Sequence, residues 1–435
     1  MAFVRWGVAN PRVHGYGELA SKLLATGIVS DPWLDGRPRF GTEPLLLGFE
    51  EAARYAAAAE AVAAAYDEAA RLLVADPWLV EEFFPALTPF QHLMWSASAG
   101  AWHGIARADV FATDAPAHPL QICELNCDTP SGEAEAVLLN AAVAPAHPRA
   151  WDPNAALERA FVNAVGAFAA RVERDDPESP PTVGILYPTE LVEDLSMILL
   201  YRRWLEARGC RVVTGSPFNL SRAHAGRVAL FGVPCDVLVR HYKTDWWSER
   251  EPARDDDEPF SDAEPLAAQL GLVVDAELGG RVAVMNPFGA VVIQNKRLMA
   301  LLWEAIERFS PASQAAIRAF VPYSARLETV APSLAAARAD WVLKSDYGCE
   351  GAEVIIGGDV DDAAWADVLR HARPGRWIAQ RYFAARRDGD GRATNVGVYV
   401  VGGEASGFFS RLHRGATDYN ATTVATLIEG EVTRG

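Results

Sequence analysis

The chain lacks any run of about 18 apolar residues, although half of its residues are hydrophobic, so no membrane span is expected. The opening residues, Met1-Ala-Phe-Val-Arg-Trp-Gly7, lack the apolar core of a signal peptide. Cysteine is scarce. There are five, an odd number without zinc-type pairing, which points to a reducing, cytoplasmic setting. Cys123 and Cys127 lie four residues apart but straddle a strand end, and they read as small buried residues rather than ligands. Positive charge is in deficit, with 40 Lys and Arg against 57 Asp and Glu, a net charge of −17. That argues against nucleic acid, whose binding rests on cationic contacts to phosphate. A nucleotide stays open, because a few cations and Mg²⁺ can reverse the sign within a cleft. An acidic surface also suits a cationic substrate such as an amine. There is no internal repeat and no Walker A motif.

A chain of 435 residues can bury a large core and is expected to form two or three lobes. Residues 49–76 are Ala-rich and read as one long helix stopping before Asp76-Pro77. An apolar strand at 120–128 leads into a helix at 132–142, and a further helix is expected from Pro153, capped by Asp152. Short apolar runs at 183–187, 211–214 and 236–240 alternate with a helix at 190–208, which implies a parallel sheet. The charged run 249–258 reads as a mobile surface loop. From about residue 286 the pattern becomes α+β. Helices are expected at 294–309 and 360–373, strands at 341–345, 353–356 and 377–383, and a hairpin through Gly402-Gly403. The fold class is therefore α+β with an α/β portion, divided as 1–150, 151–285 and 286–435.

The segment Gln121-Ile-Cys-Glu-Leu-Asn-Cys-Asp-Thr-Pro-Ser-Gly-Glu133 carries most of the chemistry. Alternate strand residues point the same way, so Glu124, Asn126 and Asp128 share a face at the strand end. Oxygen-bearing side chains converging there suit a hard cation such as Mg²⁺. A helix opening at Ser131 would offer free backbone N–H groups to an anion. Capping of that helix by Asp128 or Thr129 is the plainer alternative. Arg107-Ala-Asp109 adds a second carboxylate beside a fixed cation. Lys344 precedes a loop with Gly348 and Gly351, which can fold over phosphates or simply turn a hairpin. Lys296 follows Asn295 at a helix start, where a cation needs a partner such as phosphate. The strand holding Gln380 can be a hinge reading an adenine edge, or plain core.

Together these residues resemble the synthetase domain of glutathionylspermidine synthase, a member of the ATP-grasp superfamily. The resemblance rests on Arg107-Ala-Asp109, Glu124-Leu-Asn126-Cys-Asp128-Thr129-Pro130, Asn295-Lys296, Lys344-Ser-Asp-Tyr-Gly348-Cys-Glu350-Gly351, Gln380-Arg-Tyr382-Phe383, and Gly402-Gly403 with Arg411 and Thr417-Asp418-Tyr-Asn420. It departs from the family at Ser345 and Cys349, which stand for Pro and Arg, and at the altered segment His241-Tyr-Lys-Thr-Asp-Trp-Trp247. A length of 435 residues is also expected to leave no room for the family's amidase domain.

The resemblance implies an ATP-grasp fold with a pre-ATP-grasp-like α/β domain over 151–285. It implies an ATP-dependent carboxylate–amine ligase that works through an acyl phosphate. In that reading Asp109, Glu124 and Asn126 hold Mg²⁺, and Arg107, Lys344 and Arg411 are catalytic. Lys296, Lys344, Gly348, Glu350, Gly351, Gln380, Arg381, Tyr382, Phe383 and Asn420 hold ATP. Thr129 and Ser131 meet a small carboxylate, a peptide or an amino acid. An ATP-binding protein without ligase activity, or an ATP-grasp kinase, is the alternative.

Overall fold

The computed structural model describes residues 15–174, 176–190, 194–248, 251–258, 266–334, 336–348, 353–415 and 420–430, with backbone only at 331–332. The elements that frame the site, in chain order, begin with helix α1 (Phe49–Ala75), strands β1 (Ile105–Ala112) and β2 (Leu120–Asn126), and helices α2 (Glu133–Val143) and α3 (Leu157–Ala169). Next come β3 (Thr182–Leu186), α4 (Leu195–Ala207), β4 (Arg211–Gly215), β5 (Val237–Arg240) and β6 (Ala283–Met285). Then follow α5 (Arg297–Glu304), β7 (Ser324–Arg326), β8 (Trp341–Ser345), β9 (Val354–Ile356), α6 (Asp362–His371) and β10 (Trp377–Arg381). The hairpin β11 (Ala393–Val401) and β12 (Glu404–His413) and the short β13 (Thr422–Val424) close the series.

Helix α1 runs through Ala58, Ala59, Val62, Ala65, Ala69 and Leu73, all buried at helical spacing. The small alanines let a sheet lie close against it. The helix ends where Asp76 leaves the helical region before Pro77, whose ring disfavours a helical predecessor. The sheet it covers has the order β13-β12-β11-β1-β2 and is antiparallel throughout. Strict alternation explains its two faces. Ala106, Ala108, Val110, Val396, Val398 and Val400 join the core with α1, each large side chain contributing about 1.5–3 kcal/mol on burial. Arg107, Asp109, Asn395 and Gly397 therefore face the other way. Gly402 and Gly403, at φ +61° and +88°, turn the β11–β12 hairpin as a two-residue loop requires.

Two further sheets flank this one. The α/β stretch forms a parallel sheet, β6-β5-β3-β4, with α3 and α4 packed on it. The region after 320 forms an antiparallel sheet, β7-β10-β8-β9, with its own core around Trp341, Trp365 and Trp377. Among the described residues no helix is long and apolar enough to cross a membrane.

Several boundaries differ from the sequence reading. Gly132 takes a φ of +97°, so α2 begins at Glu133, and no side chain caps it. The helix expected from Pro153 opens as a 3-10 turn, capped by Asp152, before α3. Strand β10 ends at Arg381, two residues early. The described part of the charged run, 251–258, is docked rather than loose. Trp377 Nε1 donates to Ala253 O at 2.9 Å, and Arg254 pairs with Asp367 at 2.8 Å.

One buried joint ties the parallel sheet to the β1–β2 sheet. Arg240, fully buried at the end of β5, meets Asp128 just past β2 at 2.6 Å. Its other N–H groups donate to the carbonyls of Asn286 and Tyr242 at 2.9 and 2.7 Å. Thr244 N completes the joint by donating to Asp128 Oδ2 at 2.9 Å. Removing one partner strands a buried charge. Asp128→Ala is thus expected to cost about 3–5 kcal/mol of stability, read from denaturant midpoints. A loss under about 1 kcal/mol, the scale of an exposed pair, would contradict this joint.

Candidate active site

Strand register assembles the centre of the site. Asp109 lies opposite Glu124, and Arg107 opposite Asn126, across the β1–β2 ladder. The register slips beside Asp109, so Cys123 is an extra residue on β2, a β-bulge of the kind that re-aims side chains near sites. Cys123, Glu124 and Asn126 all line one cleft in consequence.

Asp109 is almost fully buried and held from three strands. Arg107 grips it with Nε to Oδ1 at 2.8 Å and Nη2 to Oδ2 at 3.3 Å. From β12, Arg411 Nη2 donates to Oδ2 at 3.0 Å, and from β11 Asn395 Nδ2 donates to the same oxygen at 3.1 Å. Burial alone would raise the Asp109 carboxyl, but the two guanidiniums hold it down at about 2. Burial and the neighbouring Arg107 pull Arg411 below its ordinary value, with Asp109 opposing them. Both guanidiniums also stand over the Phe409 ring at 5.5 Å. Gly397 makes this possible, because a Cβ there would sit 2.7 Å from Arg107 Cδ and 3.0 Å from the Phe409 carbonyl.

Two buried atoms at this centre have no hydrogen-bond partner among the described residues, Arg411 Nε and Asn395 Oδ1. Buried polar groups are normally satisfied. An unused guanidinium N–H suits an anion, and an unused amide oxygen suits a hard cation. Glu124 and Asn126 stand half-buried beside them, with Asn126 Nδ2 donating to Glu124 Oε1 at 3.3 Å. The donor set thus fits a phosphate–Mg²⁺ pair. Among the described residues no three His, Cys, Asp or Glu side chains converge as a metal cluster, so a cation here would draw on amide oxygens too.

The opposite wall comes from the β8–β10 sheet. Lys344 Nζ donates to the carbonyl of Cys123, the bulge residue, at 3.1 Å. Ser345 has a defined task where the family carries Pro: its hydroxyl accepts from Gly348 N at 3.2 Å and donates to Glu353. Lys296 Nζ donates to the Gly348 carbonyl and Lys296 N to the Asp346 carbonyl, so it fastens the root of the glycine loop and does not itself line the cleft. Val342, Val354, Ile356 and the Phe111–Phe383 pair give the cleft an apolar stretch, bordered by Gln380, Arg381 and Tyr382. Gln380 Nε2 donates to Ser324 Oγ at 3.0 Å, while Arg381 lies over Trp341. Gly348, Thr129 and Ser131 line the cleft, and Asn420 does not. Glu350 and Gly351, with Cys349, and the Thr417-Asp418 pair lie outside the described residues. The whole cleft measures about 880 Å³.

A family model for the glutathionylspermidine synthase preATP-grasp family matches residues 35–429. The chain belongs to this family. A solved structure of a glutathione synthetase-like effector from Globodera pallida, in its apo form, is similar in fold at TM-score 0.60 and 11% identity, covering 96% of this chain and 97% of that one. A gamma-glutamylcysteine synthetase-like protein from Methylobacillus flagellatus KT aligns at TM-score 0.45 and 13% identity, over 81% of this chain and 88% of that one. No curated protein matches by sequence.

The described cleft of this family member holds charged groups that motif reading passed over. Arg39 pairs with Glu135 at 2.8 Å, His241 meets Asp194 at 3.3 Å, and Lys243 stands over Trp246. One signal was available. Only four of the 40 basic residues are lysines, at 22, 243, 296 and 344, and three of them lie in or directly behind the cleft.

The turn after β2 also behaves differently from the sequence reading. The Ser131 carbonyl, rather than a row of helix N–H groups, meets the charged centre, accepting from Arg107 Nη1 at 2.6 Å and Tyr399 Oη at 3.1 Å. Glu133, next on α2, is fully buried near Tyr201, and among the described residues neither carboxyl oxygen has a hydrogen bond of good geometry. Burial pushes its carboxyl up to about 8. The unfolded chain ionises it near about 4.3, so the folded state binds the proton more tightly. Its contribution is therefore full below that value and is lost as pH rises through the folded value. Glu133→Gln should flatten the fall in denaturant midpoint between pH 5 and 8. An unchanged slope would contradict the burial argument.

Proposed function

We propose that this cleft catalyses ATP-dependent amide formation between a small carboxylate and an amine, through an acyl phosphate, on an ATP-grasp arrangement. The observation that carries the reading is the Arg107–Asp109–Arg411 cluster, with its unused Arg411 Nε and Asn395 Oδ1, facing Lys344 across the cleft. In this reading residues 151–285 form the pre-ATP-grasp unit and 286–435 bring the lysines. Asp109, Glu124 and Asn126 would hold Mg²⁺, which would supply charge neutralisation to the phosphate oxygens. Lys344 neutralises phosphate oxygens, and Lys296 acts by holding the Gly348 end of the loop in place. Gln380, Arg381, Tyr382 and Phe383 border the adenine, while Gly348 stands beside the phosphates.

The substrate carboxylate, received by Thr129 and Ser131, attacks the γ-phosphorus, and ADP leaves. Arg107 and Arg411 stabilise the transferred phosphoryl group. The amine then attacks the acyl carbon, the C–O bond breaks, and phosphate departs. An enclosed cleft protects the acyl phosphate from water.

An ADP-release screen of carboxylates crossed with amines, with product masses, tests the reading. Asp109→Ala, Glu124→Ala and Lys344→Ala are each expected to lower turnover by about 10²–10³-fold or more. Full turnover in folded variants would contradict the assignment. A phosphorylated product would make the protein a kinase, and nucleotide binding without phosphate release would make it a binding protein.

A further inference from the structure

The two central strands of the parallel sheet, β5 and β3, end at the cleft, the usual place for ligands in open α/β sheets. At the end of β5 stands His241, only 7% exposed yet lining the cleft. Its backbone is fixed on both sides. His241 N donates to the Leu186 carbonyl at 2.7 Å, and Arg240 before it is locked on Asp128. His241 borders a small pocket shared with Thr129 and Pro130, so it adjoins the turn that follows β2. Nε2 lies 3.3 Å from Asp194 Oδ1. Asp194 is the N-cap residue of α4, yet its side chain caps nothing. The helix terminus favours its charge, and the carboxylate is left to orient the imidazole.

A buried histidine, oriented by a carboxylate and open to a cleft, has the arrangement of a general base. The segment that carries it is the one that departs from the family motif, so nothing above assigns it a role. We propose that His241 accepts the proton from the incoming amine, with Asp194 as its positioning residue. The inference rests on the ligase reading. The alkylammonium gives one proton to His241, its freed electron pair forms the bond to the acyl carbon, the carbon–oxygen bond breaks with its electron pair leaving on phosphate, and the second nitrogen proton departs with that phosphate. Asp194 holds the Nε2–H and stabilises the imidazolium. An alkylamine, protonated near pH 7 like a lysine, needs such a base far more than hydroxylamine, which is largely neutral there.

The test compares two nucleophiles on wild type, His241→Asn and Asp194→Asn. Amino acids and small peptides, glutathione among them, serve as carboxylate probes with ATP–Mg²⁺. Hydroxylamine traps the acyl phosphate as a hydroxamate, and a panel of primary amines including spermidine gives amide. Both variants should keep hydroxamate formation within about threefold. His241→Asn should lose about 10²–10⁴-fold in amide formation, and Asp194→Asn should fall in the same direction. Equal loss with both nucleophiles, no loss with either, or wild type making hydroxamate but no amide with any amine would overturn the proposal. Absence of hydroxamate from wild type with every carboxylate would instead overturn the ligase reading, and this inference with it.

Discussion

Everything at this site depends on one buried carboxylate. Asp109 sits beneath the cleft with Arg107, Arg411 and Asn395 bonded to it from β1, β12 and β11. Two guanidiniums side by side repel, and burial makes the repulsion worse. The carboxylate between them and the Phe409 face against both are what make the pair tenable. The residual charge of the cluster is positive, and among the described residues one guanidinium N–H stays unused. That is a standing invitation to an anion, in a chain whose net charge is −17. The sheet geometry follows from the same demand. Gly397 clears the Arg107 stem, and the bulge at Cys123 turns Glu124 and Asn126 toward the same spot.

The second constraint is mechanical. Three sheets surround the cleft, and separate contacts hold each in register. Arg240 and Asp128 fix the parallel sheet to the end of β2, while Lys344 and the Cys123 carbonyl join the β8 sheet to the bulge. The first joint is a buried ion pair, backed by the Thr244 N–H on Asp128 and by two carbonyls on Arg240. The second is a single hydrogen bond from a flexible side chain, on the wall that carries the glycine loop.

Much of this was legible in the sequence. The parallel sheet, the long α1 helix and the Gly402-Gly403 hairpin followed from periodicity and turn chemistry, because those signals are local. The pairing of the 393–413 hairpin with β1 was not legible, since nothing local links residues almost 300 positions apart. The same limit hid the Arg411–Asp109 contact and the Asn395 amide. Asp128 looked like a ligand or cap from alternation, yet it serves Arg240, because its neighbour across space could not be read from spacing. His241 was missed because it lies in the segment that departs from the motif, where resemblance falls silent, and Asp194 because its partner is 47 positions away.

The account makes one chemical claim that isotope labelling can decide. A substrate carboxylate that attacks the γ-phosphorus must surrender one of its own oxygens to phosphate when the amine displaces it. With a carboxylate labelled by heavy oxygen, the account predicts that each amide formed releases one labelled phosphate. Amide formation with no label in the phosphate would contradict an acyl phosphate, and with it the role drawn here for Arg107, Asp109 and Arg411.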